Sequence, residues 1–256
     1  MRSTLDRTIK MLNNAIFGIP WAGLLEPFGT LLFPAHCAGC RCRVDEGHDF
    51  CSSCAAEIEW IAPPRCEVCS QPYEGMTSAF TCPNCRGDAF FFECAVAGVR
   101  SRGVVRDMVH RLKYGREIWL ARVLAGLMER GLDDSRLAGT GIDMLVPVPL
   151  HPRRLREREF NQAVLLAEQL AARSALTFRD VLVRRRYTTT QTQLDRRGRR
   201  QNLRDAFILR KNADVIDKNI LLVDDVLTTG STLDACAEAL LDAGAASVRG
   251  LTVARG

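Results

Sequence analysis

Eight of the 11 cysteines in this 256-residue chain fall into four CxxC pairs. "CAGCRCRVDEGHDFCSSC" supplies Cys37, Cys40, Cys51 and Cys54, and "CEVCSQPYEGMTSAFTCPNC" supplies Cys66, Cys69, Cys82 and Cys85. A CxxC turn aims two thiolates at one tetrahedral ion, and a second turn completes the shell. Each quartet is closed by sulfur and leaves no open position for a substrate. The expected metal is therefore a structural zinc, one ion per quartet. Redox CxxC pairs usually open a helix in a thioredoxin-like setting, which is absent here. An iron–sulfur cluster is the competing use of four thiolates. Cys42 is either a spare thiol or a substitute for Cys40, and the CxxC spacing favours Cys40. His36 and His48 read as solvated turn residues, and Cys94 and Cys236 as buried core thiols. Paired knuckles of this kind belong to a reducing compartment rather than a secreted disulfide framework, so a cytoplasmic protein is expected.

The second chemical feature is "LLVDDVLTTGSTLDACAEAL", residues 221–240. An apolar run ends in two adjacent carboxylates, Asp224 and Asp225, which repel unless something uses them. Thr228, Thr229, Gly230, Ser231 and Thr232 follow, and then a helical pattern begins. Backbone N–H groups, hydroxyls and a permissive glycine at a helix start form an anion cradle. Neither a Walker A loop nor a GxGxxG is present. A sugar phosphate uses both halves, with its phosphate in the loop and its vicinal hydroxyls on the carboxylates. The plain alternative is a strand–turn–helix capped by Ser231 or Thr232, which leaves the adjacent acids unexplained.

The elements that position these groups follow from periodicity. Residues 1–33 form an apolar leader interrupted by Glu26, prolines and glycines. It lacks the uninterrupted run of about 20 residues that a membrane span needs, and an amphipathic helix is expected there, with no transmembrane segment. Residues 34–90 hold the cysteine pairs and too few apolar residues to fold without metal. Residues 91–256 alternate strand and helix patterns, which predicts an α/β domain. Strands are expected at "CAVAGVR", "DMLVPVPL", "VLVRRR", "NILLVDD" and "SVRGLTVAR". Helices are expected at "VVRDMVHRLKYG", "EIWLARVLAGLMERGL", "NQAVLLAEQLAARS" with Asn161 as N-cap, and "STLDACAEALLDAG". The net charge of +5 is concentrated in arginines at 153–158 and 184–204, which suits an anionic ligand or nucleic acid.

The stretch from Leu221 to Thr232 closely resembles the ligand signature of type I phosphoribosyltransferases. With the double ribbon, "RLKYGRE", "PVPLHPRRLREREFNQA" and the polar arm 187–207, the chain resembles the ComF family of competence-associated proteins. The resemblance covers nearly everything after the leader. It implies a mostly parallel phosphoribosyltransferase-like sheet behind a small Cys-rich double zinc ribbon. It also implies phosphoribosyl pyrophosphate bound with magnesium: Asp224 and Asp225 on the ribose hydroxyls, and Thr228, Thr229, Gly230, Ser231 and Thr232 on the 5-phosphate. In this fold the loop after the first sheet strand, here Pro149–Arg154, grips the pyrophosphate, and the arm 187–207 closes over the site. Lys113 and Tyr114 are further candidates to reach it. The family's link to DNA uptake and natural transformation implies two functional classes. One is a phosphoribosyltransferase, with no residue standing out as catalytic base and the acceptor open. The other is a non-catalytic module that binds the donor and single-stranded DNA. Competence helicase or processing proteins are the implied protein partners.

Overall fold

The computed structural model describes residues 35–73, 75, 77–186 and 205–256. The leader and positions 187–204 of the polar arm lie outside the described residues. By its contacts the chain divides into two compact units, Met1–Cys51 and Ser52–Gly256.

In the first unit the backbone turns tightly around its cysteines. The Cys37 N–H donates to the Cys42 carbonyl, the Arg41 N–H to the Cys37 carbonyl, and the Ala38 N–H to the Asp49 carbonyl. Arg41 takes a positive φ of 66° to close the knuckle.

The second unit is a five-stranded sheet with helices on both faces. Its strands are β1 (Ala95–Arg100), β2 (Met144–Pro147), β3 (Thr177–Phe178), β6 (Asn219–Leu227) and β7 (Ser247–Arg255). They lie in the order β1-β7-β6-β2-β3, with every pairing parallel. A strand at the centre of such a sheet is covered on both faces and reads as a continuous apolar run. Ile220, Leu221, Leu222 and Val223 of β6 are accordingly all buried.

Helices α1 (Ser52–Ala56), α2 (Gly103–Tyr114), α3 (Leu120–Glu129), α4 (Pro152–Arg158), α5 (Gln162–Arg173) and α6 (Ser231–Asp242) complete the described elements, with a 3₁₀ turn at Arg130–Asp133. Asn161 caps α5 as its sequence suggests, accepting from the Ala163 N–H at 3.0 Å. Helix α4 was not expected, because its segment reads as a basic loop. Pro152 in its first turn fixes a helical φ, and the His151 ring accepts from the Arg153 N–H at 3.1 Å. The segment "VLVRRR" does form a strand, β4 (Leu182–Arg184), but outside the main sheet. It pairs antiparallel with β5 (Phe207–Leu209), a strand that follows the polar arm in the chain.

The second cysteine quartet belongs to the core of this unit. Cys66, Cys69, Cys82 and Cys85 share one buried cluster with Phe92, Ala95, Leu222, Leu233 and Cys236. The Ala95 N–H donates to the Val68 carbonyl, and the buried Ser70 hydroxyl bonds the Ala95 carbonyl. Arg136 donates to the carbonyls of Cys66 and Glu67 and to Ser70 Oγ, while its carboxylate partner Asp134 also holds Arg65. Burial alone would raise the Asp134 pKa, but its bonds to Arg136 and the charge of Arg65 hold it below the usual carboxylate value. Cys94 and Cys236 are buried core thiols, and burial pushes Cys94 up to about 11.

Candidate functional site

The sheet order places the site. The chain runs outward from β2 to β3 on one side and from β6 to β7 on the other. Where neighbouring parallel strands send their connections in opposite directions, a crevice opens beyond their carboxyl ends. Pairing of β2 with β6 stops at Pro147 and Val223, while pairing of β6 with β7 continues to Leu227 and Arg255. Asp224 and Asp225 are therefore not the end of the strand, as the sequence suggested. They sit where β6 has lost its β2 neighbour but is still held by β7.

The two acids are in different environments. Asp225 is buried, and one carboxylate oxygen accepts from Lys113 Nζ at 2.8 Å. Its other oxygen is buried, with no hydrogen-bond partner among the described residues. Asp224 is half-buried and accepts the Asp225 backbone N–H at 2.8 Å. Burial and the neighbouring Asp225 charge push the Asp224 pKa up to about 7, against the opposing charges of Lys113 and Arg184. A pair of carboxylates with an unfilled acceptor position is a ready receptor for hydroxyl donors or a cation.

The loop beyond them has the geometry of an anion cradle. Gly230 adopts φ +80°, and a Cβ there would lie 3.3 Å from the Phe92 ring. Gly230, which has no side chain, is the N-cap of α6, and the Ser231 N–H donates to Thr229 Oγ1 at 3.4 Å. The Thr229 and Ser231 hydroxyls lie 3.0 Å apart, facing each other across the turn. Neither Ser231 nor Thr232 takes the capping role, because the helix already begins at Ser231.

The arms are basic. The loop after β2 is anchored by the Val148 N–H on the Val223 carbonyl and by Asn161 on the Val148 carbonyl. Desolvation, then the positive charges of Arg184, Arg156 and Arg153, hold His151 below its ordinary pKa despite a backbone hydrogen bond that favours its charged form. Arg184, on β4, is close enough for its charge to be felt by Asp224 and by His151. Sequence reading did not single out Arg184, since it lies in a run of three arginines with nothing to distinguish it. Lys113 is brought onto Asp225. Its neighbour Tyr114 is exposed, with the Arg158 guanidinium over its ring at 5.1 Å.

The two cysteine quartets assemble as their spacing predicts. In each, the four sulfurs lie within 4.8 Å of one another, and no histidine joins them among the described residues. Cys40 and Cys51 sulfurs are 3.7 Å apart, as are those of Cys69 and Cys82. A tetrahedron with zinc–sulfur bonds of about 2.3 Å has edges of about 3.8 Å, whereas a disulfide would need about 2 Å. The Cys51 N–H points at Cys37 Sγ and the Cys82 N–H at Cys66 Sγ, each at 3.3 Å, which favours thiolate. The donor set and spacing thus fit zinc in both. Cys42 is exposed and outside the quartet, beside Cys40 and Cys51.

Comparisons with known proteins agree with this layout. The family model described as a double zinc ribbon domain matches residues 28–86, and that described as a phosphoribosyl transferase domain matches residues 161–256. Ribbon and sheet together define a zinc-ribbon, phosphoribosyltransferase-like protein. DNA utilization protein YhgH of Escherichia coli K12 is 32% identical over 224 residues, covering 86% of this chain and 96% of that protein. Competence protein F of Haemophilus influenzae is 27% identical over 223 residues, covering 86% and 90%. Competence protein ComFC of Bacillus subtilis is 39% identical over 113 residues, 44% of each chain. The chain belongs to the ComF family of competence-associated, phosphoribosyltransferase-like proteins.

Proposed function

We propose that the chain binds phosphoribosyl pyrophosphate with magnesium at the crevice beyond β6 and β2, and acts as a phosphoribosyltransferase. The observation that carries this is the joining of two features at one strand end. Among the described residues Asp225 has a buried carboxylate oxygen without a hydrogen-bond partner, and the next turn leads into a helix whose N-cap, Gly230, has no side chain. On this reading Asp224 and Asp225 take the ribose hydroxyls, and Thr228, Thr229, Gly230, Ser231 and Thr232 take the 5-phosphate. The loop Pro149–Arg154 and Arg184 supply positive charge for the pyrophosphate. Lys113 pairs with one Asp225 oxygen at 2.8 Å. Magnesium, when bound with the donor, neutralises charge on the leaving pyrophosphate.

The test is calorimetric titration of phosphoribosyl pyrophosphate and magnesium into wild type and an Asp224→Asn, Asp225→Asn variant. Binding is expected in the first and its loss in the second; unchanged affinity overturns the site. Donor turnover against nucleobases, amines and single-stranded DNA then identifies the acceptor.

A second reading is a donor-binding module that also holds single-stranded DNA. It is favoured by one surface: Tyr114, Ile118 and Trp119 are exposed, and arginines lie near both aromatic rings. Aromatic faces beside arginines stack bases without reading sequence. The relatives named for competence and DNA utilization support it too. On either reading we infer a cytoplasmic protein, since no disulfide joins the described cysteines. No helix among the described residues is long and apolar enough to cross a membrane. Competence helicase or processing proteins remain the partners inferred from family membership. Gel shifts at rising salt decide the nucleic-acid reading: affinity should fall steeply, and Tyr114→Ala with Trp119→Ala, or charge reversal at Arg196, Arg197, Arg199 and Arg200, should weaken it. Equal shifts for all proteins would remove it.

A further inference from the structure

Arg255 is a buried guanidinium at the end of β7, 7% exposed, and no Asp or Glu side chain pairs with it among the described residues. Its hydrogen bonds go elsewhere. One terminal nitrogen donates to the Leu227 carbonyl at 2.9 Å and to the Gly256 carbonyl. The other points at Cys69 Sγ at 3.8 Å. The remaining nitrogen, Nε, has no hydrogen-bond partner among the described residues. A buried guanidinium needs negative charge or acceptors beside it. One such group, on the nitrogen that faces away from Leu227 and Gly256, is the Cys69 sulfur, which is charged when it binds a metal. A divalent ion held by four thiolates leaves the cluster with excess negative charge, and a buried arginine is the complement such a cluster needs.

The other end of the same side chain matters equally. Leu227 is the last residue of β6, directly before Thr228, and its carbonyl also accepts the Gly256 N–H at 2.9 Å. Two further contacts tie the residues after the second quartet to the same turn. The Phe91 N–H donates to Asp234 Oδ1 at 2.8 Å, in the first turn of α6. The Phe92 ring lies against Gly230.

We propose that Arg255 is a positioning residue that joins the second zinc cluster to the turn 228–232, so that metal in this cluster sets the conformation of that turn. The inference rests on the geometry of the turn and does not depend on which ligand the turn holds. The first quartet has no part in it.

The experiment uses the full zinc-loaded chain and reads two quantities. One is the rate of zinc release into a chromogenic chelator. The other is amide hydrogen exchange across residues 226–234, with the amides of α5 as internal reference. In Arg255→Met the slower-released zinc is expected to leave about tenfold faster, the usual scale for losing a partner of a metal ligand. The turn should exchange about tenfold faster while α5 keeps its protection. Arg255→Lys, which keeps the charge but not the fork, should restore zinc retention more fully than protection of the turn. Wild-type rates for both quantities in Arg255→Met overturn the proposal, and so does faster zinc release with an unchanged turn. If Arg255→Met does not accumulate as folded protein, wild type progressively stripped by chelator gives the same reading. The turn must lose protection as the second zinc leaves and before α5 does; simultaneous loss in both overturns it. Absence of phosphoribosyl pyrophosphate binding by wild type would end the ligand assignment without touching either readout.

Discussion

Asp224 and Asp225 are adjacent in sequence, yet their environments separate them. Asp225 has Lys113 on one oxygen, so Lys113→Met would leave a buried carboxylate unpaired. A loss of about 3 kcal/mol in urea unfolding is expected, and adding Asp225→Asn should recover much of it. Asp224 titrates near 7 when folded, above its ordinary value, because burial and Asp225 oppose its charge. A group whose folded pKa is raised stabilises the fold fully below its unfolded pKa and loses that contribution as pH rises through the folded pKa. Wild-type stability should therefore fall between about pH 4 and pH 7 relative to Asp224→Asn, by at most about 4 kcal/mol. Chemical denaturation of both proteins across that range checks it. A bound cation or hydroxyl donor would reduce the gap by favouring the ionised form. The acids, the Thr-Gly-Ser turn and the eight cysteines were all legible in the sequence, because their chemistry is local and their spacing short. Arg184, Arg255 and the Lys113–Asp225 pair were not, because each acts on residues far away in the chain.

At the scale of elements, the turn between β6 and α6 depends on Gly230. Its φ of +80° is a left-handed value, and Phe92 closes the space where a side chain would go. Gly230→Ala is expected to cost about 1–2 kcal/mol from the backbone alone, read by thermal or urea unfolding, and to weaken donor binding by calorimetry. The link between the second ribbon and the sheet is polar as well as apolar. Arg136 holds two ribbon carbonyls, and Arg136→Met would strand them and unbalance Asp134. A loss of about 3 kcal/mol is expected. Long apolar strands and the capped helix α5 were correctly anticipated, since periodicity and caps are local signals. Helix α4 was missed because its seven residues bury none of their side chains, so it carries no amphipathic pattern. The strand β4 was found but could not be placed, since its partner β5 lies beyond the polar arm.

For the whole molecule, the two metal clusters should behave differently. Cys40 is exposed in the first, while all four cysteines of the second are buried within the hydrophobic core. Elemental analysis should find one zinc per quartet. A chelator should take the first zinc quickly, with little change in the sheet's circular dichroism, and the buried second zinc far more slowly. Release of both at one rate, without unfolding, would contradict this. Composition and spacing by themselves determined that the chain carries two tetrathiolate sites and a strand–turn–helix suited to a sugar phosphate. Those are short-range properties, fixed by which residues stand within a few positions of each other. Only the tertiary structure decided that β6 outruns β2 at the acids, that Lys113 meets Asp225, and that the second ribbon shares its core with the turn. These depend on the order of strands in the sheet, which brings together residues more than 100 positions apart, such as Lys113 with Asp225 and Cys69 with Arg255.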